Sequence, residues 1–168
     1  HKQSTPVVDR VEIAYVVPNL TPSIDSLQAQ YPQEQQTNDP RNPIMNIKWQ
    51  ASDPNQDRLT FSLDYQLAGS SQWLTLTEEI EQTEFEWQTQ RIPDGWYTLR
   101  VTASDKRDNP ADMTLTNSRH SDPVLVDNTP PSLKNLKTNR RDEKLVVLGQ
   151  AIDQLSPIKS IAYALDST

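Results

Sequence analysis

The sequence predicts an all-β fold, and within that class a β-sandwich, from three observations. Apolar residues alternate with polar or small ones in several segments, most regularly over residues 59–67, as they do in half-buried strands. These segments are short and are separated by turn-forming residues at regular intervals. Finally, residues 92–97 form a proline-glycine corner that leads into another alternating segment. No helical periodicity competes with this pattern, so a sandwich fits better than an α/β fold.

The corner at residues 92–97 is the most informative stretch. Pro93 and Gly95 turn the chain, and Tyr97 begins a strand in which every second residue is apolar. In a β-sandwich, a tyrosine at such a corner packs its ring in the core and bonds its hydroxyl group back to the preceding loop. Pro93, Gly95 and Tyr97 are therefore predicted to be structural residues.

The first part of the chain contains two predicted strands and a long connection. Alternating apolar residues predict a strand over 7–17, and the prolines of residues 18–22 end it. A second strand is predicted over 23–29. Residues 30–43 are polar and contain three prolines, which indicates a long loop or spacer.

The central part contains the clearest strands. Residues 44–52 form a predicted strand with Ile47 and Trp49 on one face, and residues 53–57 turn the chain into the strand at 59–67. Further strands are predicted at 73–77, around Phe85 and Trp87 after the acidic stretch 78–84, and over 96–104. A turn-rich segment, 105–112, precedes a last strand that is split around 118–123.

The prolines of residues 126–131 indicate a junction between domains. Strand-like segments follow it at 132–136, 144–151 and 158–165, with a charged turn at 139–143. About 37 residues are too few to bury a core alone, and the strand at 7–17 is extra to the sandwich, so both are expected to belong to partial β modules. The predicted organisation is a terminal strand at 1–18, a sandwich at 19–126, a junction at 127–131 and part of a second module at 132–168.

Trp49, Tyr65 and the corner at 92–97 have the order and spacing of a fibronectin type III domain, which the chain resembles over about residues 19–126. The segments 126–131 and 151–166 look like the start of a second immunoglobulin-like module. Such modules occur in large secreted bacterial proteins, where they often follow a β-propeller. The resemblance implies a spacer, adhesion or interaction role without catalysis, and an extracellular or periplasmic location or one at the cell surface.

Composition excludes several classes of function. The chain has no cysteine, so it has neither a disulfide nor a thiolate nucleophile. Its net charge of −7 argues against binding the phosphate backbone of nucleic acids. It lacks a run of 18 apolar residues, which argues against insertion in a membrane.

No pattern in the sequence predicts catalysis. The two histidines, His1 and His120, lie outside any recognisable motif. Paired carboxylates such as Glu84 and Glu86 are unspecific in an acidic protein, and on a strand they predict a solvated edge that discourages strand addition. We therefore expect a protein that is not an enzyme and that has no organic cofactor.

Calcium is the one cofactor that the loops suggest. Residues 53–57, 105–109, 127–128 and 152–154 place oxygen-bearing side chains in turns, and hard cations bind six to eight oxygens drawn from several loops. The candidate ligands are Asp105, Asp127 and Asp153, at a junction similar to that of cadherin-type tandem repeats. The alternative is that these residues only stabilise turns, which Asp and Asn do through local hydrogen bonds.

Two kinds of partner are expected. The open strand edges at both ends predict contacts with other protein, either neighbouring domains of the same chain or a strand supplied by another chain. A glycan is the further possibility, because exposed tryptophans stack on sugars. Trp96 is predicted to face solvent, whereas Trp49, Trp73 and Trp87 lie in patterns that favour burial.

Overall fold

The computed structural model describes residues 8–13, 15, 17–32, 43–141, 144–158 and 160–162. Within these ranges the chain forms ten β-strands and no helix, and therefore no helix that could span a membrane. The strands are β1 (Ser23–Gln30), β2 (Ile44–Ser52), β3 (Thr60–Leu67), β4 (Leu74–Ile80), β5 (Glu84–Gln88), β6 (Gly95–Ser104), β7 (Thr116–His120), β8 (Val124–Val126), β9 (Ser132–Arg141) and β10 (Lys144–Ile152).

Eight of these strands form two antiparallel sheets. One sheet has the order β1-β2-β5, and the other has the order β4-β3-β6-β7, with β8 also pairing with β6. Aromatic pairs join the sheets: the ring centroids of Trp49 and Phe61 are 5.4 Å apart, and those of Trp87 and Tyr97 are 5.9 Å apart. The predicted all-β fold is confirmed, and the two sheets pack as a sandwich.

Alternation along each strand places the core between the sheets. On β6, the side chains of Tyr97, Leu99, Val101 and Ala103 point inward and are almost completely buried, while the residues between them are only partly buried. Ile47 and Trp49 of β2 face them from the other sheet and are equally buried. Burying one large apolar side chain contributes roughly 1.5–3 kcal/mol, so the alternation fixes which face of each strand turns inward.

The corner before β6 has the geometry that the sequence predicts. The hydroxyl group of Tyr97 donates a 2.7 Å hydrogen bond to the carbonyl oxygen of Pro93, and its ring lies in the core beside Tyr65 and Trp87. Gly95 has a φ of 155°, which a residue with a Cβ rarely adopts. The glycine thus lets the chain enter β6 directly from the turn.

Strand β4 is longer than the sequence predicts. It continues through Ile80, so the acidic residues Glu78 and Glu79 belong to the sheet. The ladder between β3 and β4 is irregular, and Glu79 has a positive φ of 59°. An irregularity of this kind bends a strand and re-aims its side chains, and here Glu79 reaches Lys106 at 2.5 Å.

Two predicted terminal strands are absent from the described residues. Residues 8–13, 15 and 17 form no strand, although they alternate, and Val11, Ile13 and Tyr15 are exposed. Residues 158 and 160–162 also form none, and the rest of that predicted strand lies outside the described residues. A strand needs a partner for its backbone N–H and C=O groups, and alternation alone does not provide one.

After the junction, β9 and β10 form an antiparallel hairpin. Arg141 pairs with Lys144, so the predicted charged turn is wrong in its bounds: residues 139–141 belong to β9, β10 begins at Lys144, and residues 142–143 lie outside the described residues. The hairpin exposes several large apolar side chains, which are Leu133, Leu136, Leu145, Val146, Val147, Leu148 and Ile152.

The sandwich has two ends, which we call the entry pole and the exit pole. Residues 17–22 lead into β1 at the entry pole, where the β2–β3 loop (53–59) and the segment after β6 (105–115) also lie. The exit pole is formed by residues 89–94 and 127–131, where Gly95 pairs with Val126. The chain therefore enters and leaves the sandwich at opposite ends.

Candidate functional sites at the two poles

Three aspartates converge at the entry pole. Asp53 and Asp57 come from the β2–β3 loop, and Asp105 directly follows β6. Each contributes a carboxylate oxygen, and these oxygens all lie within 4.8 Å of one another. We call these residues the aspartate trio. Among the described residues, these three are the acidic side chains that lie close enough together to bind one metal ion.

The β2–β3 loop holds its two aspartates through local hydrogen bonds. Oδ1 of Asp53 accepts hydrogen bonds from the backbone N–H groups of Asn55 at 2.7 Å and Asp57 at 3.3 Å, which closes the turn. Oδ2 of Asp57 accepts from Nδ2 of Asn109 at 2.7 Å. Both side chains are only partly exposed, and their carboxylates point toward the segment that follows β6.

Asp105 connects the trio to the segment that precedes β1. Its side chain is completely buried. Oδ1 accepts a 2.8 Å hydrogen bond from the Leu115 backbone, and Oδ2 accepts one of 2.6 Å from Nδ2 of Asn19. Asn55 binds the same segment, since its amide contacts the carbonyl oxygen of Pro18 at 3.1 Å and the N–H group of Leu20 at 2.9 Å. Residues 18–20 are thereby held against both loops.

The trio lacks a positively charged partner among the described residues. None of its three carboxylates forms an ion pair with a lysine or arginine of the described residues. The neighbouring Asp108, by contrast, is paired with Arg58 at 2.5 Å, which lowers its pKa mainly through the hydrogen bond from the guanidinium group. The other buried carboxylate, Asp64, is paired with Arg100 at 3.0 Å.

Two oxygen atoms at the entry pole also have no hydrogen-bond partner. Oδ2 of Asp53 and Oδ1 of Asn19 are both buried atoms without a donor. An unpaired buried acceptor costs about 1–3 kcal/mol, and a native structure rarely leaves a buried polar atom without a partner. The entry pole therefore presents carboxylate and amide oxygens that lack both a donor and a cation.

The predicted ligands are divided between the poles. Asp127 and Asp153 line a cavity of about 420 Å³ at the exit pole, together with Asp94, whereas Asp105 lies at the entry pole. The structure therefore does not bring Asp105, Asp127 and Asp153 together, because strand β6 separates Asp105 from the other end of the sandwich, and calcium binding by these three residues stays a prediction. Asp153 accepts hydrogen bonds from the N–H groups of Leu155 and Ser156, as a turn residue does.

Asp94 organises the exit pole. Its carboxylate accepts a hydrogen bond from the hydroxyl group of Thr129 and one of 2.7 Å from the N–H group of Asn128. The Thr129 bond is the main reason that the pKa of Asp94 is lowered, and burial and, to a smaller extent, the negative charge of Asp153 oppose this effect. Nδ2 of Asn128 donates to the carbonyl oxygens of Thr89 and Ile92, both at 2.8 Å.

The tryptophans do not form a row on the surface. Trp49 and Trp87 are buried in the core, and Trp96 is 49% exposed, as the sequence predicts for it. Trp73 is partly buried on the outer face of the sheet, where it stacks on His120 at 5.3 Å between ring centroids. The guanidinium group of Arg100 lies 4.3 Å from the centre of the Trp73 ring.

Sequence reasoning identifies the loops of the trio but misses Asn19. Residues 53–57 and 105–109 carry the aspartates that signal oxygen ligands, and the topology brings these loops together. Asn19 carries no such signal, because it lies between prolines in a segment that simply ends a predicted strand. No protein-family profile matches the chain, and no curated protein sequence is significantly similar to it.

Proposed function

We propose that this chain is a non-catalytic spacer and interaction segment of a larger extracytoplasmic protein, in which a fibronectin type III-like sandwich precedes part of an immunoglobulin-like module. The observation that carries the proposal is the path of the chain, which enters at one pole and leaves at the other. A module of this geometry holds its two neighbours along the chain at opposite ends.

Two features support the fibronectin type III-like assignment. The strand orders β1-β2-β5 and β4-β3-β6-β7 divide seven strands between two sheets as such a domain does. The buried Trp49 and the hydrogen bond from Tyr97 to Pro93 occupy the positions that the sequence resemblance assigns to them.

The hydrogen bonds at the exit pole favour a spacer that holds the two neighbouring modules at a fixed angle over one that acts as a flexible tether. Asn128 makes three hydrogen bonds to residues 89–94, and Thr129 adds a fourth to Asp94. Pro130 and Pro131 come next and restrict the backbone further. The hairpin of β9 and β10 is thus attached through a segment that the sandwich itself orders.

The exposed apolar residues of the hairpin support the interaction role. Leu133, Leu145 and Leu148 are each more than half exposed. Exposed apolar strands of this kind are completed by neighbouring strands in folded modules. The partner that fits is protein: an adjoining domain of the same chain or a strand from another chain.

The test is whether residues 127–129 hold the hairpin rigidly against the sandwich. We expect backbone ¹⁵N relaxation to give order parameters of about 0.85 for residues 127–129, the value of rigid strands. In Asn128→Ala these values should fall and the tumbling of the hairpin should separate from that of the sandwich. Asn139→Ala, an exposed position on β9, is the matched control. Order parameters below about 0.6 at the junction of the wild type would refute the spacer proposal.

A calcium-dependent adhesion module is the second candidate. The observation that favours it is the aspartate trio beside the segment leading into β1. This candidate requires an ion at the entry pole and an effect of that ion on adhesion. Aggregation of beads coated with the protein, compared in calcium and in chelator, distinguishes it from a spacer that functions without the ion.

A further inference from the structure

We infer that the entry pole binds a calcium ion through the carboxylates of Asp53, Asp57 and Asp105 and the amide oxygen of Asn19. The inference concerns a binding site, and it does not depend on the spacer role proposed above.

The spacing of the oxygens fits the coordination shell of calcium. Calcium binds oxygen at about 2.3–2.6 Å, so two ligands on opposite sides of the ion are at most about 4.6–5.2 Å apart. The three carboxylate oxygens lie within 4.8 Å of one another. The three oxygens are therefore close enough for one ion to bind all three residues after small shifts of their side chains.

Charge is the second step of the argument. Three carboxylates in this space repel one another, and Asp105 is completely buried. Burying an ionised group is unfavourable unless a counter-charge or metal compensates it. Asp64 has Arg100 for this purpose, whereas no lysine or arginine in the described ranges reaches Asp105. A divalent cation supplies the missing positive charge.

The unpaired oxygens provide an independent observation. Oδ1 of Asp53 is committed to the turn, while Oδ2 is buried and has no donor. Nδ2 of Asn19 donates to Asp105, while the amide oxygen attached to the same carbon is also buried and has no donor. Hydrogen bonds within the loops therefore leave one buried acceptor on Asp53 and one on Asn19 without a donor, and a cation held between these residues and Asp105 would bind both.

The chemistry of the ligands selects the ion. All four side chains offer oxygen, which is the ligand of hard cations, and the group contains neither the histidine nor the cysteine that zinc prefers. Magnesium retains several waters and requires near-octahedral geometry, whereas calcium accepts irregular loops and bidentate carboxylates. Four side chains leave room for bidentate binding and water to reach six to eight oxygens.

The position of the site gives it a mechanical consequence. Its ligands come from three segments: the residues before β1, the loop after β2 and the loop after β6. A bound ion would join these segments and hold residues 18–20 on the pole more firmly than the Asn55 hydrogen bonds do alone. Occupancy would thus set the direction in which the chain enters the sandwich.

The test is calcium titration of the whole chain after removal of metals with a chelator. Isothermal titration calorimetry should show one calcium per chain, and saturating calcium should raise the Tm by at least about 5 °C, because a ligand of the native state stabilises it. Magnesium at the same concentration should give a much smaller shift. Hydrogen exchange at the Leu20 amide should slow when calcium is bound.

Asp53→Asn is the decisive variant. Asparagine keeps Oδ1 for the turn but replaces the unpaired Oδ2 with an NH₂ group that can donate to the other carboxylates. We expect a higher Tm than the wild type without calcium, and a calcium affinity at least tenfold weaker. Asp57→Asn should weaken calcium binding in the same way. Two control variants should bind calcium like the wild type. They are Asp122→Asn, at an exposed position, and Asp94→Asn, at the exit pole.

The inference would be overturned by the absence of calcium binding and thermal stabilisation at millimolar concentration, or by equal affinity in the wild type and in both trio variants. Loss of binding in Asp94→Asn alone would place the ion at the exit pole and would also overturn it. Because the spacer proposal is tested by the order of residues 127–129, either idea can fail without the other.

Discussion

The guanidinium group of Arg100 lies 3.0 Å from the carboxylate of Asp64, directly opposite it on the outer face of neighbouring strands β6 and β3. The hydroxyl group of Thr75 donates a 2.9 Å hydrogen bond to the same carboxylate, and the Trp73 ring covers the guanidinium group. Asp64 is only 9% exposed, so these partners compensate the burial of its carboxylate.

Replacement of Arg100 by an uncharged residue should lower the stability of the fold. Arg100→Gln leaves a largely buried carboxylate without its counter-charge, and we expect the free energy of unfolding to fall by about 2–3 kcal/mol, somewhat less than for a fully buried pair. Urea denaturation measures this change. Lys48→Gln is the matched control, because Lys48 and Glu84 form an ion pair of 3.1 Å that is mostly exposed. Its loss should be about 0–1 kcal/mol.

A double variant separates charge from packing. Asp64→Asn combined with Arg100→Gln removes both charges while keeping polar groups that can hydrogen-bond, so it should recover most of the lost stability. If the double variant were as unstable as Arg100→Gln, the packing of Arg100 on Trp73 would be the main contribution, and the charge argument would fail.

Tyr97 offers a second prediction, at the corner. Tyr97→Phe removes the hydrogen bond to Pro93, and since Pro93 is exposed its carbonyl group can bind water instead. We therefore expect a loss of only about 1 kcal/mol. Tyr97→Ala also leaves a cavity beside Tyr65 and Trp87 and should cost about 3–5 kcal/mol. Tyr15→Phe, at an exposed position, should be neutral; an unchanged urea midpoint for Tyr97→Phe would contradict the role of the hydroxyl group.

Gly95 leads to a third prediction. A Cβ at this position would lie 2.8 Å from Cδ1 of Leu67, on a backbone with a φ of 155°. Gly95→Ala should reduce stability by about 1–3 kcal/mol, mainly through backbone strain, because the end of the Leu67 side chain can move. Adding Leu67→Ala removes the contact but not the strain. Full recovery in that double variant would show that the contact, and not the backbone, is the cause.

The sandwich can be predicted because the alternation of apolar and polar residues in each strand is visible in the sequence. The bounds predicted for β2 are those observed, since Ile47 and Trp49 alternate with polar residues and face a real core. The strand over 7–17 is predicted on the same signal and is absent from the described residues, because pairing depends on a partner that alternation does not reveal.

The aspartate trio shows a different limit. Each loop can be identified from its composition. The composition does not show that β6 runs the length of the sandwich between Asp105 and Asp127 and so keeps them apart. Asn19 cannot be found at all, because its contact with Asp105 joins residues that are 86 positions apart. Spatial grouping of polar side chains depends on topology, which local patterns do not contain.

The last prediction concerns pH at the exit pole. The Thr129 hydroxyl group, assisted by the Asn128 backbone, lowers the pKa of Asp94 below its ordinary value of about 3.9. The folded state therefore binds fewer protons than the unfolded state in this range, and stability rises with pH. The contribution of Asp94 should be complete above about pH 5 and should be lost as the pH falls through the lowered pKa.

Asp94→Asn tests this dependence. The variant keeps an acceptor but loses the charge, so it should be less stable than the wild type at pH 7, and the difference should shrink between about pH 5 and pH 2 as the wild-type carboxylate is protonated. Urea denaturation at several pH values measures the difference. Asp122→Asn, whose carboxylate is exposed, controls for the general effect of removing one negative charge. A difference that stays constant from pH 7 to pH 2, or that grows as the pH falls, would show that the Asp94 charge does not hold Thr129 and Asn128 at the exit pole.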